Sequence, residues 1–233
     1  MNGLKKGLHT KLAFIFGGIY LILFAVYFLG YYTEVSDLFV YLDLIFSRIS
    51  YFLIPMIAGV VTLVTYSAQN LKSALIRLLP LSLVRLIYFV AYFYLFLTEG
   101  GVGGAGVVIL SVVLAIADAL FAYVLSLIVF IIIKNVVLKM GGDLRCAIET
   151  RTAVDFKDPI SLSAALISIL PAAVFLAGEI GDTVSFIMNY GFSFTVGEII
   201  YTVLFYIFDF SLFFIHYILV ILTKNLIVKG YVR

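Results

Sequence analysis

Two aspartates lie deep inside apolar segments of this chain, and they are the residues best suited to chemistry. Asp118 and Asp209 each stand near the middle of an apolar run that is long enough to cross a membrane. An ionised side chain at that depth costs about 2.5–3.5 kcal/mol on insertion scales, so it needs a partner or a water-filled cavity. We therefore predict a site that couples to a proton or cation or binds a ligand. Structural hydrogen bonding between helices is the alternative.

Polar residues recur on the helical face of each aspartate, at intervals of seven or eight residues. They are Thr202, Asp209 and His216 on the sixth run, and Ser111, Asp118 and Ser126 on the fourth run. His216 lies about 10 Å along the helix axis from Asp209, which is compatible with a water-linked relay but not with direct contact. A hydrogen bond that packs two helices is the simpler interpretation of a single membrane histidine.

Two arginines within the apolar runs complete the set of candidate residues. Arg85 lies about two turns inside the third run, and we predict that its side chain extends back to the headgroups. Contact with Asp118 is the alternative. Arg48 stands near the outer end of the second run, where we predict a charged cluster that clamps the helices. An anion clamp based on the planar guanidinium is the alternative for Arg48. Its candidate acidic partners are Asp43, Glu34 and Glu198.

Signals for other chemistries are weak. One cysteine, one intramembrane histidine and two distant carboxylates lack the spacing of metal ligands, so we expect no metal and no cofactor. Residues 101–106 match G-x-G-x-x-G, but they follow an apolar run rather than a strand, which predicts a flexible hairpin. We expect no enzymatic activity. An aspartyl dyad of Asp118 and Asp209 is the alternative, and it would need the two carboxyls on facing helices.

The elements that must position these residues are membrane helices. Of the 233 residues, 64% are apolar and 12% are charged, whereas soluble domains carry about 25% charged residues. Six runs reach the roughly 20 residues that a spanning helix needs, and they lie near 13–32, 44–67, 79–98, 107–133, 160–178 and 197–223. Backbone groups in lipid must pair within their own segment, so all six are predicted to be helical. The predicted fold is a single all-α integral membrane domain, in contact with the lipid bilayer and without nucleic acid.

The basic residues predict the orientation of the chain. Fourteen of the fifteen precede the first run, follow the sixth, lie in the second or fourth connection, or stand just inside the third run; Arg48 is the exception. Short loops rich in Lys and Arg stay cytoplasmic. Both termini are therefore predicted to be cytoplasmic, and we expect a bacterial plasma membrane.

Two segments between the runs are predicted to lie on the cytoplasmic side. Residues 69–79 carry leucines at helical spacing beside Lys72 and Arg77, which predicts a short interfacial helix before Pro80 opens the third span. The loop from Met140 to Pro159 mixes basic and acidic residues. We interpret it as a solvated linker, and docking of an ATPase or another membrane subunit is the alternative.

Three helical hairpins descended from one are a further hypothesis. Residues 127–139 read LIVFIIIKNVVLK, and residues 217–229 read YILVILTKNLIVK. Asp118 and Asp209 fall within one residue of the same alignment. Transporters are often built from such repeats.

These features predict a small-molecule transporter, or the membrane subunit of a transport complex, with midplane carboxylates for coupling or ligand binding. The chain carries no phosphate-binding loop, so a partner would have to use any ATP. The alternative is a non-catalytic assembly or scaffolding subunit, in which intramembrane polar residues pair helices within or between chains. A homo-oligomer is compatible with both hypotheses. Replacing Asp118 and Asp209 by Asn would separate them, because inert substitutions favour the assembly role.

Overall fold

The computed structural model describes residues 8–32, 37–66, 71–101, 103–192 and 194–232. Every regular element in these residues is a helix. In chain order they are α1 (Leu8–Tyr32), α2 (Asp37–Tyr66), α3 (Leu71–Glu99), α4 (Ala105–Lys139), α5 (Leu144–Glu149), α6 (Pro159–Tyr190) and α7 (Val196–Val232).

Six of these helices are long and apolar enough to cross a membrane, whereas α5 has only six residues. The shortest of the six has 25 residues and is therefore about 38 Å long at 1.5 Å per residue. The hydrocarbon core of a bilayer is about 30 Å thick. The predicted all-α, multi-pass membrane fold is thus confirmed, while the direction in which the chain crosses stays a prediction.

The third membrane helix begins earlier than the sequence pattern indicates. We expected a separate interfacial helix over 69–79, but α3 runs without a break from Leu71 through Pro80 to Glu99. The reason is that one buried face continues across the proline, from Ala74 and Leu78 to Leu81 and Arg85. Pro80 removes only one intrahelical hydrogen bond, and the packing of this face outweighs that loss. Whether residues 71–79 lie at the membrane interface stays a prediction.

The fifth membrane helix ends later than expected. The apolar run weakens near residue 178, at Gly178 and Glu179, but α6 continues for a further three turns to Tyr190. It ends at Gly191, whose φ of 70° lies in the left-handed region that glycine adopts without strain. Polar residues and glycines at the end of an apolar run therefore mark the edge of the hydrophobic stretch here and not the end of the helix.

The chain divides into two compact units, and the boundary falls between Lys134 and Asn135 within α4. Unit 1 contains α1, α2, α3 and most of α4. Its core is apolar and aromatic, and is formed by Phe16, Tyr20, Leu23, Ile54, Ala58, Leu78, Leu81, Phe89 and Ala115. That the chain forms a single membrane domain stays a prediction.

Small residues bring the helices of unit 1 close together. A Cβ at Gly59 on α2 would lie 2.5 Å from the carbonyl oxygen of Ser126 and 2.9 Å from Val129 on α4. A Cβ at Gly30 on α1 would lie 2.9 Å from the backbone nitrogen of Val40 on α2. All three distances are shorter than real side chains allow, so these glycines let two pairs of helices approach closely.

Unit 2 is built on α6 and α7, which pack along each other as a hairpin, with α5 beside α7. The Ser161 and Tyr217 hydroxyls share a hydrogen bond of 2.6 Å near one end of the pair, and those of Thr183 and Tyr206 share one of 2.8 Å near the other. The start of α6 is fixed by Asp158, whose carboxylate accepts a hydrogen bond from the Ser161 backbone nitrogen at 2.7 Å.

Candidate functional site

A buried ion pair between Arg85 and Asp118 lies at the centre of unit 1. Arg85 is the central residue of α3 and is only 2% exposed. Its Nε donates to Oδ2 of Asp118 at 2.6 Å, and one terminal nitrogen donates to Oδ1 at 2.9 Å. Both carboxylate oxygens are thus engaged by the planar fork of the guanidinium. The expectation that Arg85 extends to the headgroups is wrong, because α4 places a carboxylate directly opposite it.

The same arginine also satisfies a carbonyl group that a proline leaves without its helical donor. Pro55 lies inside α2 and has no N–H, so the carbonyl four residues earlier, that of Tyr51, lacks an intrahelical partner. The second terminal nitrogen of Arg85 donates to this carbonyl at 2.8 Å. Within a membrane, water does not repair such a broken bond. Arg85 therefore compensates for the interruption of α2 by Pro55.

Aromatic side chains enclose the guanidinium. Its central carbon lies 4.5 Å from the ring centre of Tyr51 and 4.9 Å from that of Phe89, which is the distance range of cation–π contacts. The Tyr20 hydroxyl on α1 lies 3.5 Å from the nitrogen that also binds the Tyr51 carbonyl. Arg85 thereby uses four of its five N–H groups and links α3 to α1, α2 and α4.

Pairing changes what Asp118 can do. A charge in hydrocarbon is costly, but a bidentate arginine removes the net charge and fills both carboxylate oxygens. Asp118 is therefore one half of a neutral ion pair with Arg85, which is the alternative that the sequence offered to headgroup contact of this arginine. The pair is thus a direct contact between α3 and α4 in which both carboxylate oxygens accept hydrogen bonds from Arg85.

The hydroxyl groups of the two serines on the Asp118 face bond to the backbone of their own helix. The Ser111 hydroxyl donates to the Val107 carbonyl at 2.7 Å, and the Ser126 hydroxyl donates to the Ala122 carbonyl at 2.8 Å. Both bonds return to the preceding turn of α4. The predicted polar stripe is buried as expected, but its two serine hydroxyl hydrogens are directed at the helix backbone.

Asp209 and His216 lie in unit 2, and both are fully buried on α7. Asp209 is the fourteenth residue of α7, as Asp118 is the fourteenth residue of α4. Nδ1 of His216 donates to the Leu212 carbonyl at 2.7 Å. A neutral imidazole in that tautomer presents Nε2 as an acceptor. The two residues remain candidates for ligand or ion coupling, and the hairpin repeat that relates Asp209 to Asp118 stays a prediction.

Two residues of the predicted outer cluster, Asp43 and Arg48, lie on different faces of α2. Asp43 is buried on α2, while Arg48 is half-buried on the same helix. A separation of five residues turns their side chains about 140° apart around the helix, so they lie on different faces. Glu34 lies outside the described residues. Glu198 is exposed and accepts hydrogen bonds from the backbone nitrogen and the hydroxyl of Thr195 at 2.7 and 2.8 Å, which forms a capping box at the start of α7.

Part of the loop from Met140 to Pro159 is anchored to α7. The Asn225 side-chain oxygen accepts a hydrogen bond from the Thr152 backbone nitrogen at 2.9 Å, and its amide nitrogen donates to the Thr152 carbonyl at 3.0 Å. Lys224, which is buried, donates to the Thr150 carbonyl. The interpretation of the whole loop as a solvated linker is therefore wrong at residues 150–152. The short helix α5 is solvent-exposed at Arg145, where a hydrogen bond to Glu149 raises the pKa of the guanidinium.

Sequence reasoning missed several residues of the arginine site. Tyr20, Tyr51 and Phe89 were not among the candidates, because aromatic residues are frequent throughout the chain. One signal was present, since Pro55 implies an unpaired carbonyl at Tyr51 that a buried donor must satisfy. Lys224 and Asn225 stood out in the sequence only because they recur in the suspected repeat. That recurrence indicated a common origin of the hairpins and did not predict the contact with the loop.

Comparisons of the chain with protein-family models, with curated proteins and with solved structures found no match. The fold and the geometry of its buried polar groups therefore carry the functional argument.

Proposed function

We propose that the protein moves a small molecule across a bacterial plasma membrane, either as a self-contained transporter or as the membrane subunit of a transport complex. The observation that supports this most is the ion pair of Arg85 and Asp118 within the spanning helices. Ionisable residues at such depth are rare and mark substrate or ion pathways. Replacing a buried ion pair by apolar residues of similar volume is often neutral or stabilising, so the attachment of α3 to α4 does not by itself require these two charges.

The proposed mechanism uses the pair as a reversible contact between α3 and α4. A ligand carboxylate or a proton that competes for one partner would release α3 from α4 and expose the Tyr51 carbonyl. Asp209 and His216 on α7 supply the second polar centre, and they are the candidate coupling residues. Both oxygens of Asp118 are bonded to Arg85, which disfavours an aspartyl dyad, since a dyad needs two carboxyls that share one proton.

A non-catalytic assembly or scaffolding subunit is the second candidate function. The observation that favours it is the return of the Ser111 and Ser126 hydroxyls to their own helix, because this leaves the face of Asp118 without a continuous polar lining. In that role Arg85 would serve only to hold four helices together. The two functions differ in the partners that they require and in the effect of removing the charges.

The first experiment is affinity purification of the tagged protein from its native membrane in mild detergent, followed by mass spectrometry. Stoichiometric recovery of an ATPase or a second permease subunit supports the transport complex. Recovery alone or as a homo-oligomer supports a self-contained transporter, which solute uptake into proteoliposomes then tests. Stoichiometric recovery within an assembly that has no transport component contradicts the proposal, and it supports the assembly subunit instead.

A charge-free variant provides the matched control for this experiment. In Arg85→Met/Asp118→Leu the buried volumes are nearly kept while both charges are removed. An assembly subunit with this double substitution should still recover its partners and support their function. A transporter should recover its partners but lose uptake, because the reversible contact is gone.

A further inference from the structure

Helices α3 and α4 of unit 1 leave a cavity between them, and long side chains bridge the two helices near each end of it. The bridges are the ion pair of Arg85 with Asp118 and a hydrogen bond of 2.9 Å from the Tyr123 hydroxyl to the Leu75 carbonyl. The cavity has a volume of about 250 Å³ and is lined mainly by Leu79, Leu83 and Leu86 of α3 and by Ile116, Leu120 and Tyr123 of α4. It is therefore a built feature of the fold, with a fixed width.

The polar side chains in the wall of this cavity are directed at the backbone of α3. Ser82 also lines the cavity, and its hydroxyl donates to the Leu78 carbonyl at 3.3 Å. The Tyr123 hydroxyl is used in the same way by the Leu75 carbonyl. The remaining lining side chains are aliphatic. A polar ligand would lose its hydrogen bonds to water without gaining replacements, so the cavity suits a hydrocarbon chain.

The rim of the cavity is open to the surroundings of unit 1. Leu79 is 49% exposed, Leu83 is 53% exposed and Leu120 is 58% exposed. All three belong to helices that are long and apolar enough to cross a membrane. Exposed leucines on such helices meet lipid tails, which are as apolar as leucine itself. The hydrocarbon that the bilayer supplies at this opening is an acyl chain.

An exposed cation continues the cavity face of α3 toward the start of the helix. Lys72 is exposed and lies seven residues before Leu79, which places both residues on the same face. The fourteen residues from Lys72 to Leu86 span about 21 Å along the axis. Leu86 directly follows Arg85, the central residue of α3. Half of a bilayer with its headgroups is about 20–22 Å thick, so Lys72 stands at headgroup level when the centre of α3 stands at the midplane.

We infer that the cavity between α3 and α4 binds one acyl chain of an anionic phospholipid whose headgroup is held by Lys72. The ammonium group is a point charge that attracts phosphate, and a zwitterionic lipid offers it no net negative charge. The charge pattern predicts that this end of α3 is cytoplasmic, and anionic lipids of the cytoplasmic leaflet attract basic residues near the membrane. The inference goes beyond the proposed function and does not depend on it, since it concerns a bound lipid and not a transported molecule.

The test uses the fact that the chain contains no tryptophan. Leu83→Trp places a single fluorophore at the rim of the cavity, and the full-length variant is reconstituted into vesicles of phosphatidylcholine and phosphatidylglycerol. Bromine on the acyl chains of one lipid or the other quenches the tryptophan on contact. We expect phosphatidylglycerol to occupy this position about fivefold more strongly than phosphatidylcholine. Ile169→Trp, at a residue 52% exposed on α6, is the control and should show no such preference.

Second substitutions in the Leu83→Trp protein connect the binding to the named residues. Lys72→Gln should abolish the preference for phosphatidylglycerol, whereas Lys139→Gln, which removes another exposed cation, should keep it. Ser82→Phe fills the cavity, so quenching by brominated phosphatidylglycerol should fall to the level of the control tryptophan. Ala91→Phe adds similar bulk to a different cavity, toward the other end of α3, and should leave the quenching unchanged.

Folding of the variants does not limit the test. Lys72 is exposed, so Lys72→Gln should keep the far-ultraviolet circular dichroism of the parent protein, and Ser82→Leu replaces Ser82→Phe if the larger side chain prevents folding. The inference is overturned if the two lipids quench Leu83→Trp equally, or if Lys72→Gln retains the preference for phosphatidylglycerol. It is also overturned if filling the cavity leaves the quenching unchanged. An equal preference at Ile169→Trp would show general enrichment of anionic lipid around the protein and would overturn the site as well.

Discussion

Removing either charge of the Arg85–Asp118 pair should destabilise unit 1 strongly, and removing both should restore most of the loss. Arg85→Met or Asp118→Leu leaves one buried charge without its partner, which costs about 3–5 kcal/mol. The double variant leaves no buried charge. It still leaves the Tyr51 carbonyl unsatisfied, because Pro55 supplies no N–H. An unsatisfied buried carbonyl costs about 1–3 kcal/mol, so the double variant should remain that far below the unaltered protein.

A third substitution separates the two contributions. Pro55→Ala returns an N–H to α2, and this N–H can bond the Tyr51 carbonyl within the helix. Added to the charge-free double variant, it should recover most of the remaining 1–3 kcal/mol. Added to the unaltered protein it should have a smaller effect, since Arg85 already satisfies the carbonyl. This coupling between positions 55 and 85 is specific to the observed geometry.

The free energy of unfolding can be measured by SDS titration in mixed micelles, followed by far-ultraviolet circular dichroism. Lys139→Met, which removes an exposed cation at the end of α4, is the control and should change stability by less than about 0.5 kcal/mol. Single variants that match the control would refute the buried pair. A double variant that is as unstable as the sum of the single variants would refute the pairing of these two residues, because independent sites add.

Three further predictions address packing, orientation and coupling. Gly59→Ala should destabilise unit 1 by about 1–3 kcal/mol, because the new Cβ would collide with the Ser126 carbonyl; Gly18→Ala, whose Cβ meets open space, should be neutral or stabilising in the same SDS titration. In a Cys146→Ser background, which removes the exposed native thiol, a cysteine introduced at Gly103 should react with a membrane-impermeant maleimide only from outside the cell, and labelling confined to inside-out vesicles would reverse the predicted topology. Asp209→Asn should reduce solute uptake more than it reduces stability, and unchanged uptake at normal expression would remove Asp209 from the coupling site.

The membrane fold was predictable because lipid offers the backbone no partners. A run of about 20 apolar residues must form a helix that satisfies its own hydrogen bonds, and this condition depends on local composition alone. The start of α6 also depends on local sequence, because Asp158 followed by Pro159 favours the beginning of a helix. The start of α3 and the end of α6 were harder to predict, because polar residues interrupt an apolar run without ending the helix.

The burial of the intramembrane charges was also predictable, since depth within an apolar run can be counted along the chain. Asp118, Asp209 and His216 are all buried, as their positions indicated. Their partners could not be counted in the same way. Arg85 had two sterically accessible choices, the headgroups and Asp118, and the sequence alone favoured the headgroups.

The sequence by itself determined the number of membrane helices, the depth of the charged residues and the position of Pro55. Only the tertiary structure decided that Arg85 meets both Asp118 and the Tyr51 carbonyl, and that Asn225 holds Thr152, 73 residues away. The physical reason is that helix formation in lipid is a local requirement, whereas the partner of a buried polar group depends on how the neighbouring helices are rotated and offset. Close contacts set that rotation. The contact of Gly59 with Ser126, for example, joins two residues that lie far apart in the chain.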